Sequence, residues 1–319
     1  MQFSVYQKTH IGARRVNQDR MGYSYTRDAL LLALADGMGG HKGGEIAATI
    51  AMQALSTLFQ SHAAPYVKRP ERFLEEALLK AHHDILRYSA VNQLADTPRT
   101  TVVACLIQHN TAIWAHCGDS RLYWVRSGKL LGRTRDHSHI EYLISKGRAT
   151  EQDRGTHPDR NKLYNCLGAS SAPTIAVSGQ ASLLPGDVLM LCSDGLWSML
   201  PDDDIVRRLT SQTVVQAVPD MISTALEVAG PKADNTTALA IMWQGAGEVA
   251  GFAEQDVIST QMLEGDQVSS TIAGEPAPPA AAAADAFDED EIEKAIAEIR
   301  DAIEKSSQLL TDKTDKGTT

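Results

Sequence analysis

Three times in this chain an apolar run stops at an aspartate flanked by small residues. Residues 30–35, Leu-Leu-Leu-Ala-Leu-Ala, lead into Asp36-Gly37. Residues 112–117 lead into Gly118-Asp119-Ser120, and residues 188–192 into Ser193-Asp194-Gly195. A fourth acid, Asp234, stands with Asn235 just ahead of the apolar run 237–243. In an antiparallel sheet the start of one strand lies beside the end of its neighbour, so these four acids and Asp19 are expected to gather at one edge of a sheet sandwich. A single Asp-Gly is ordinary turn chemistry. Its recurrence at three strand ends, with a partner acid elsewhere, points instead to a shared site. Carboxylates crowded together repel, and burial drives each toward its neutral form unless a cation joins them. An all-oxygen donor set selects hard octahedral ions, Mn2+ or Mg2+.

Short β-like runs fall at 30–35, 101–107, 112–117, 121–125, 188–192 and 237–243. Helical periodicity covers 44–59, 70–88, 139–146, 203–209 and 214–228. A hairpin is expected over 118–128, with Ser127-Gly128 as its turn. Strands cluster and helices cluster, which predicts an α+β layered fold rather than a βαβα alternation.

Composition changes near residue 245. Residues 1–246 carry a net charge of +2 and the remainder −12, so the acidity belongs to the tail. A core domain is expected at 1–246, a flexible Ala/Pro/acidic linker at 247–286 and an acidic tail at 287–319. Within that tail, Ile292, Ile296, Ile299, Ile303 and Leu310 share one helical face, an amphipathic helix suited to docking a partner or a second copy. The core has no basic stripe for nucleic acid. There is no apolar segment long enough for a bilayer and no leader-like start, so a cytoplasmic protein without membrane contact is expected. The four cysteines form no CxxC pair, and none stands in a C-x5-R loop. They read as small buried hydrophobes. His82 and His83 lie on a helical run and are expected to be exposed, whereas the four tryptophans read as core or sheet-edge residues.

Longer motifs then appear in a fixed order. Gly12-Ala-Arg14-Arg15-Val-Asn17-Gln18-Asp19 comes first, followed by Asp36-Gly-Met-Gly-Gly-His41-Lys-Gly-Gly-Glu45 and Arg99-Thr100-Thr101. Gly118-Asp119-Ser120-Arg121, Thr134-Arg-Asp136-His137-Ser138, His157-Pro158, Arg160-Asn161 and Leu167-Gly168 continue the series. Ser193-Asp194-Gly195-Leu196-Trp197 and Ala233-Asp234-Asn235-Thr236-Thr237 close it. Each is weak alone, but the full set in this order resembles the metal-dependent Ser/Thr protein phosphatases, the PPM or type 2C family, in a bacterial-type form. The resemblance spans roughly residues 2–244. One departure is Arg99, where the family has glycine before the Thr-Thr pair.

The resemblance implies a four-layer α-β-β-α sandwich of two antiparallel sheets flanked by helices. It also implies that Asp36 bridges two ions and is joined by the Gly37 carbonyl, that Asp194 and Asp234 complete the first ion's ligands, and that Asp19 lies by the second. A third ion would rest on Asp119 with Asp194. Arg14 would fork onto the substrate phosphate, a task for a planar bidentate donor. His41 is the candidate acid for the leaving alkoxide, since an unperturbed histidine titrates near neutrality. The implied reaction is hydrolysis of phosphoserine and phosphothreonine in proteins, without a covalent phosphoenzyme, and the implied partner is a Ser/Thr kinase whose work is reversed. The basic segment 138–165 corresponds to the family's flap and names no target. Two other readings stay open from the residues: the same fold acting on a small phosphate ester, and a silent scaffold whose tail recruits partners. Retention of every ligand aspartate speaks against the scaffold.

Overall fold

The computed structural model describes residues 1–38, 43–155, 157–159, 162–245 and 269–272. Its strands are β1 (Gln2–His10), β2 (Asp19–Tyr25), β3 (Ala29–Asp36), β4 (Val102–Gln108), β5 (Thr111–Cys117) and β6 (Arg121–Arg126). They continue with β7 (Lys129–Arg133), β8 (Ala176–Val177), β9 (Ala181–Ser182), β10 (Val188–Cys192), β11 (Thr236–Gly245) and β12 (Ser269–Ser270). The helices are α1 (Gly44–His62), α2 (Pro70–Val91), α3 (His139–Ser145), α4 (Asp194–Trp197), α5 (Asp202–Ser211) and α6 (Val214–Ala229). One sheet runs β1-β11-β10-β6-β7; the other runs β12-β2-β3-β4-β5-β8, with β9 also paired to β5. All these pairings are antiparallel.

Why β3 is apolar throughout follows from its place. Successive side chains point to opposite faces. Leu30, Leu32 and Leu34 face the other sheet, where they meet Leu189, Leu191, Leu239 and Ile241. Leu31, Ala33 and Ala35 face outward onto Leu55, Phe59, Leu74 and Leu78 of α1 and α2. The same division holds in β10: Leu189 and Leu191 turn to the inter-sheet core, and Met190 and Cys192 to Ile205, Met221 and Ile222 of α5 and α6. Three apolar interfaces therefore separate four layers, as the family resemblance implies. A strand buried on both faces loses the polar alternation that a half-exposed strand keeps.

Ser127 and Gly128 carry φ of 47° and 75° between β6 and β7. Two consecutive positive values match the tight hairpin turn whose twist suits the strands, and the expected turn is there.

Two expectations need correcting. His82 is not exposed: it is buried on α2, its Nδ1 accepts the Gly168 N–H at 3.1 Å, and burial lowers its pKa to about 4. Its neighbour His83 is exposed as expected. Strands β1 and β2 were not anticipated. The first is half-buried along most of its length and polar at alternate positions; the second opens on Asp19-Arg20 and carries Gly22.

Gly22 has a packing reason. A Cβ there would stand 2.7 Å from Ile272 Cγ1. Ile272 follows β12, which pairs with β2 through Ser269 opposite Tyr25 and Ser270 opposite Ser24. The Thr271 N–H donates to the Tyr23 carbonyl at 2.9 Å. The Ser24 and Ser270 hydroxyls meet at 2.7 Å, and Ile272 joins the core beneath α1. These residues of the stretch expected as linker thus cap the β2 edge, which would otherwise present unpaired backbone groups. The chain divides at residue 274; the tail helix expected beyond 287 lies outside the described residues. No helix among those described is long and apolar enough to cross a membrane.

Gly22→Val is expected to push Ile272 out and free β12. Hydrogen exchange at the Thr271 amide should then accelerate by about tenfold or more, while amides of β3 and β4 stay protected. Unchanged protection at Thr271 would show that the strap does not depend on the missing side chain.

Candidate metal and phosphate site

Asp19 and Asp36 are direct cross-strand partners, the first residue of β2 against the last of β3. On the other sheet, Cys192 pairs with both Ala238 and Arg121. That register sets Asp194 just beyond the end of β10, Asp234 just before β11 and Asp119 just before β6. Every predicted aspartate thus comes to the same end of the sandwich, with both sheets contributing. Their charges register on one another. Burial raises Asp36 well above the ordinary carboxylate range, and Asp19, Asp194, Asp119 and Asp234 push it further. Burial raises Asp119 likewise, followed by the charges of Asp194 and Asp136, and Arg121 opposes the rise. Asp194 is brought to about 7, by burial first and then by Asp234 and Asp19. Asp19 is raised by burial, opposed by hydrogen bonds from Thr237 and Ser193.

Small residues make the crowding sterically possible. A Cβ on Gly37 would sit 2.3 Å from the Gly44 carbonyl oxygen, so the β3 end and the start of α1 approach at backbone distance. Thr100 locks the same point: its N–H donates to the Leu167 carbonyl at 3.2 Å and its Oγ1 to the Asp36 carbonyl at 2.8 Å. Gly118, at φ 113°, lies against Thr101 where a Cβ would be 2.5 Å from the threonine Cβ.

Asp19 and Asp119 are buried, whereas Asp36, Asp194 and Asp234 retain some open surface. The Ser193 hydroxyl donates to Asp19 Oδ2 at 2.8 Å and accepts the Thr237 N–H at 3.1 Å. Asp19 Oδ1 is buried with no hydrogen-bond partner. A buried carboxylate oxygen without a donor is costly, and a cation is the partner that the surrounding acids favour. Among the described residues no three acidic, histidine or cysteine side chains stand as a closed ligand cage. Two engagements bear on this: Ser193 holds one Asp19 oxygen, and Arg14 holds both oxygens of Asp234. The orphaned oxygen, the mutual repulsion and the all-oxygen donors fit a hard divalent ion.

Arg14 forks onto Asp234, Nε to Oδ1 at 2.7 Å and Nη2 to Oδ2 at 2.5 Å. Its side chain is 57% exposed, and the hydrogen bond and charge of Asp234, then Asp194 and Asp36, raise its pKa. It therefore presents a permanent cation at the open side of the acids. His41, the candidate acid, lies outside the described residues, as do Arg160 and Asn161 of the flap.

Three contributors escaped the sequence reading. Arg121 and Asp136, from two separate motifs, form a buried bidentate pair with Nε to Oδ1 at 2.9 Å and Nη2 to Oδ2 at 2.7 Å. The guanidinium also lies 3.6 Å from the Trp197 ring centroid. This pair backs Asp119, with one charge of each sign. Beside it His116 and His137 stack at 4.6 Å. His116 Nε2–H donates to the Arg135 carbonyl at 2.8 Å. His137 Nδ1 accepts from the Gly118 N–H at 3.2 Å and from Asn165 Nδ2 at 2.7 Å. Burial and the neighbouring ring hold His137 near about 4, and burial lowers His116 as well. Third, Asn235 joins Asp234 to the Arg14 loop. Of the basic flap residues, Arg154 is engaged within the flap itself, on Glu141 at 2.7 Å. The four cysteines are buried and free, and burial raises their thiols, which removes them as nucleophiles.

Titration of these acids gives a test. At a pH below about 7 Asp194 holds a proton that an incoming cation must displace. Mn2+ binding should release protons, and affinity should climb with pH and level off once Asp194 has ionised. For the cation-free protein the folded state binds more protons than the unfolded one. Stability should therefore fall as pH rises from the ordinary carboxylate range through about 7. Calorimetric Mn2+ titration in buffers of different ionisation enthalpy, with thermal melts in chelator, reads both. Proton-independent Mn2+ binding would contradict the coupling.

The family model for protein phosphatase 2C matches residues 6–229, ending short of Asp234. The chain is 30% identical over 233 residues to the serine/threonine phosphatase stp of Listeria monocytogenes, covering 72% of this chain and 90% of that one. A crystal structure of the Mycobacterium tuberculosis serine/threonine phosphatase PstP/Ppp is similar at a TM-score of 0.66 and 30% identity, over 76% of this chain and 99% of the other. A structure of the PstP catalytic domain in complex with 2 manganese ions is similar at a TM-score of 0.64 and 28% identity, over 75% and 97%.

Proposed function

The chain belongs to the protein phosphatase 2C family, and from that premise we propose that it removes phosphate from phosphoserine and phosphothreonine in proteins, using divalent cations held by its clustered aspartates. The observation that carries this reading is the buried, unpartnered Oδ1 of Asp19 among acids that raise one another's pKa. Asp36 and the Gly37 carbonyl, with Asp194, Asp234 and Asp19, would hold two ions, and Asp119 with Asp194 would hold a third. Oxygen donors of this kind suit Mn2+ or Mg2+. When bound, the ions supply Lewis acidity and a water acidic enough to furnish hydroxide near neutral pH, so no covalent phosphoenzyme is required.

The protein's own groups do the rest. Arg14, exposed and permanently charged, turns its fork to the phosphoryl oxygens and neutralises charge that builds there. His41 passes a proton to the departing serine or threonine oxygen. The thiols take no part, because burial keeps them protonated. The catalytic domain, expected at 1–246, also takes in the β12 strap at 269–272, and the tail at 287–319 docks a partner or a second copy. The cellular counterpart is a Ser/Thr kinase whose products this enzyme resets, and the cytoplasm is the compartment in which the two would meet.

Asp36→Asn should lower turnover of a phosphothreonine peptide by more than the roughly 10–100-fold that loss of a merely supporting contact costs at a metal site, with circular dichroism unchanged. Arg14→Ala should cost about 100-fold, and Arg14→Lys should recover little of it because the fork is lost. Assays with and without Mn2+, on the peptide and on small phosphate monoesters, check both. Turnover without a divalent ion would overturn the metal role. Turnover of the small esters alone would overturn protein as the substrate.

A further inference from the structure

We infer that Asn235 is a positioning residue that shapes the Arg14 loop and ties it to Asp234. This rests on the reading of Arg14 as the phosphate clamp. The loop, residues 11–18, joins β1 to β2 and has no regular structure of its own to hold Arg14 in place. Asn235 supplies the hold from inside. Its side chain is buried. Its Oδ1 accepts the Gln18 N–H at 2.8 Å, and its Nδ2 donates to the Ile11 carbonyl at 2.8 Å and the Val16 carbonyl at 3.2 Å. One amide group thus closes the loop at both ends. Its backbone N–H meanwhile donates to Asp234 Oδ1 at 2.8 Å, one of the two oxygens that Arg14 grips.

The residue type is dictated by this pattern. Only an amide offers an acceptor and two donors on one short side chain. An aspartate would keep the Gln18 bond but set a carboxylate against two carbonyls, next to a site already crowded with negative charge. The rest of the motif presses on the same loop. The Ala13 N–H donates to the Ala233 carbonyl at 2.8 Å. Gly12, at φ +64°, lies where a Cβ would be 2.2 Å from the Asp234 carbonyl oxygen. Gly195 brings the start of α4 equally close on the far side, its missing Cβ 2.1 Å from the Asn235 carbonyl oxygen. Ala233, Asp234 and Asn235 therefore form a template on which the loop is cast. A metal-ligand position and the phosphate-binding arginine are fixed by one three-residue segment, so the clamp keeps its place relative to the ions without depending on the loop's own stiffness.

The test uses the full-length chain loaded with Mn2+ and inorganic phosphate as the probe. Asn235→Ala should weaken calorimetric phosphate binding roughly tenfold and raise KM for a phosphothreonine peptide more than it lowers kcat. The double variant with Arg14→Ala should bind phosphate no more weakly than Arg14→Ala alone. Gly12→Ala, which sets a methyl against the Asp234 carbonyl and leaves the Asn235 side chain unchanged, should reproduce the phosphate defect if Asn235→Ala fails to fold. Hydrogen exchange in the unsubstituted protein should find the Gln18 amide strongly protected. Full phosphate affinity in Asn235→Ala, losses that add to those of Arg14→Ala, or an unprotected Gln18 amide would each overturn the inference. Failure of the clamp reading itself looks different: Arg14→Ala would then leave phosphate binding untouched while the Gln18 amide stayed protected.

Discussion

Repulsion among carboxylates governs this molecule. Asp19, Asp36, Asp119, Asp194 and Asp234 arrive from five chain segments at one end of two sheets, and burial strips most of the screening water from Asp19 and Asp119. Alone, such a group is forced toward neutrality, as the raised pKa values of Asp36, Asp119 and Asp194 express. The fold must therefore be stable enough elsewhere to hold the acids together. The three apolar interfaces between its four layers do this. Strands β3 and β10 are buried on both faces up to the residue before the site, so the strand ends that carry Asp36 and Asp194 are anchored by core packing, not by loop contacts.

Charge is then managed in two ways. Near the buried floor, Arg121 and Asp136 compensate each other, and each acts on Asp119 with opposite sign. Removing Arg121 would leave Asp136 as an unpaired buried charge, a much larger perturbation than exchanging both for apolar residues. At the open side Arg14 supplies the compensating cation, on a loop whose shape comes from Asn235. The first arrangement is fixed in the core, while the second involves an arginine more than half exposed and paired with Asp234 alone among the site's acids.

Much of this could be read from the chain. The acids were legible because strand register is a strong constraint: an aspartate ending one apolar run and another starting the next must meet when the strands pair antiparallel. That strands and helices form separate layers was legible because each clusters along the chain, and the four-layer arrangement followed from the family resemblance. Strand β2 was obscured by its acidic start and by Gly22, whose reason is a residue 250 positions later in the chain. Arg121 and Asp136 stood in the sequence as separate motifs, and nothing local announces that they meet. His82 was assigned to solvent on helical position alone, yet its face of α2 packs on the segment carrying Gly168. Asn235 offered one signal, an amide directly after a ligand-type aspartate at a strand start, but its three partners lie more than 200 residues away.

The stacked rings of His116 and His137 have a bearing on how the enzyme meets changes of acidity. His137 accepts two hydrogen bonds on Nδ1, from the Gly118 amide and from Asn165 at the end of the flap. A proton on that nitrogen would break both at once. With its pKa held near about 4, the ring stays uncharged throughout the neutral range. The flap root is therefore tied to the Gly118 end of the site through a ring that carries no charge. Acidity changes in the neutral range that load or unload protons at the aspartates therefore leave both hydrogen bonds on His137 in place.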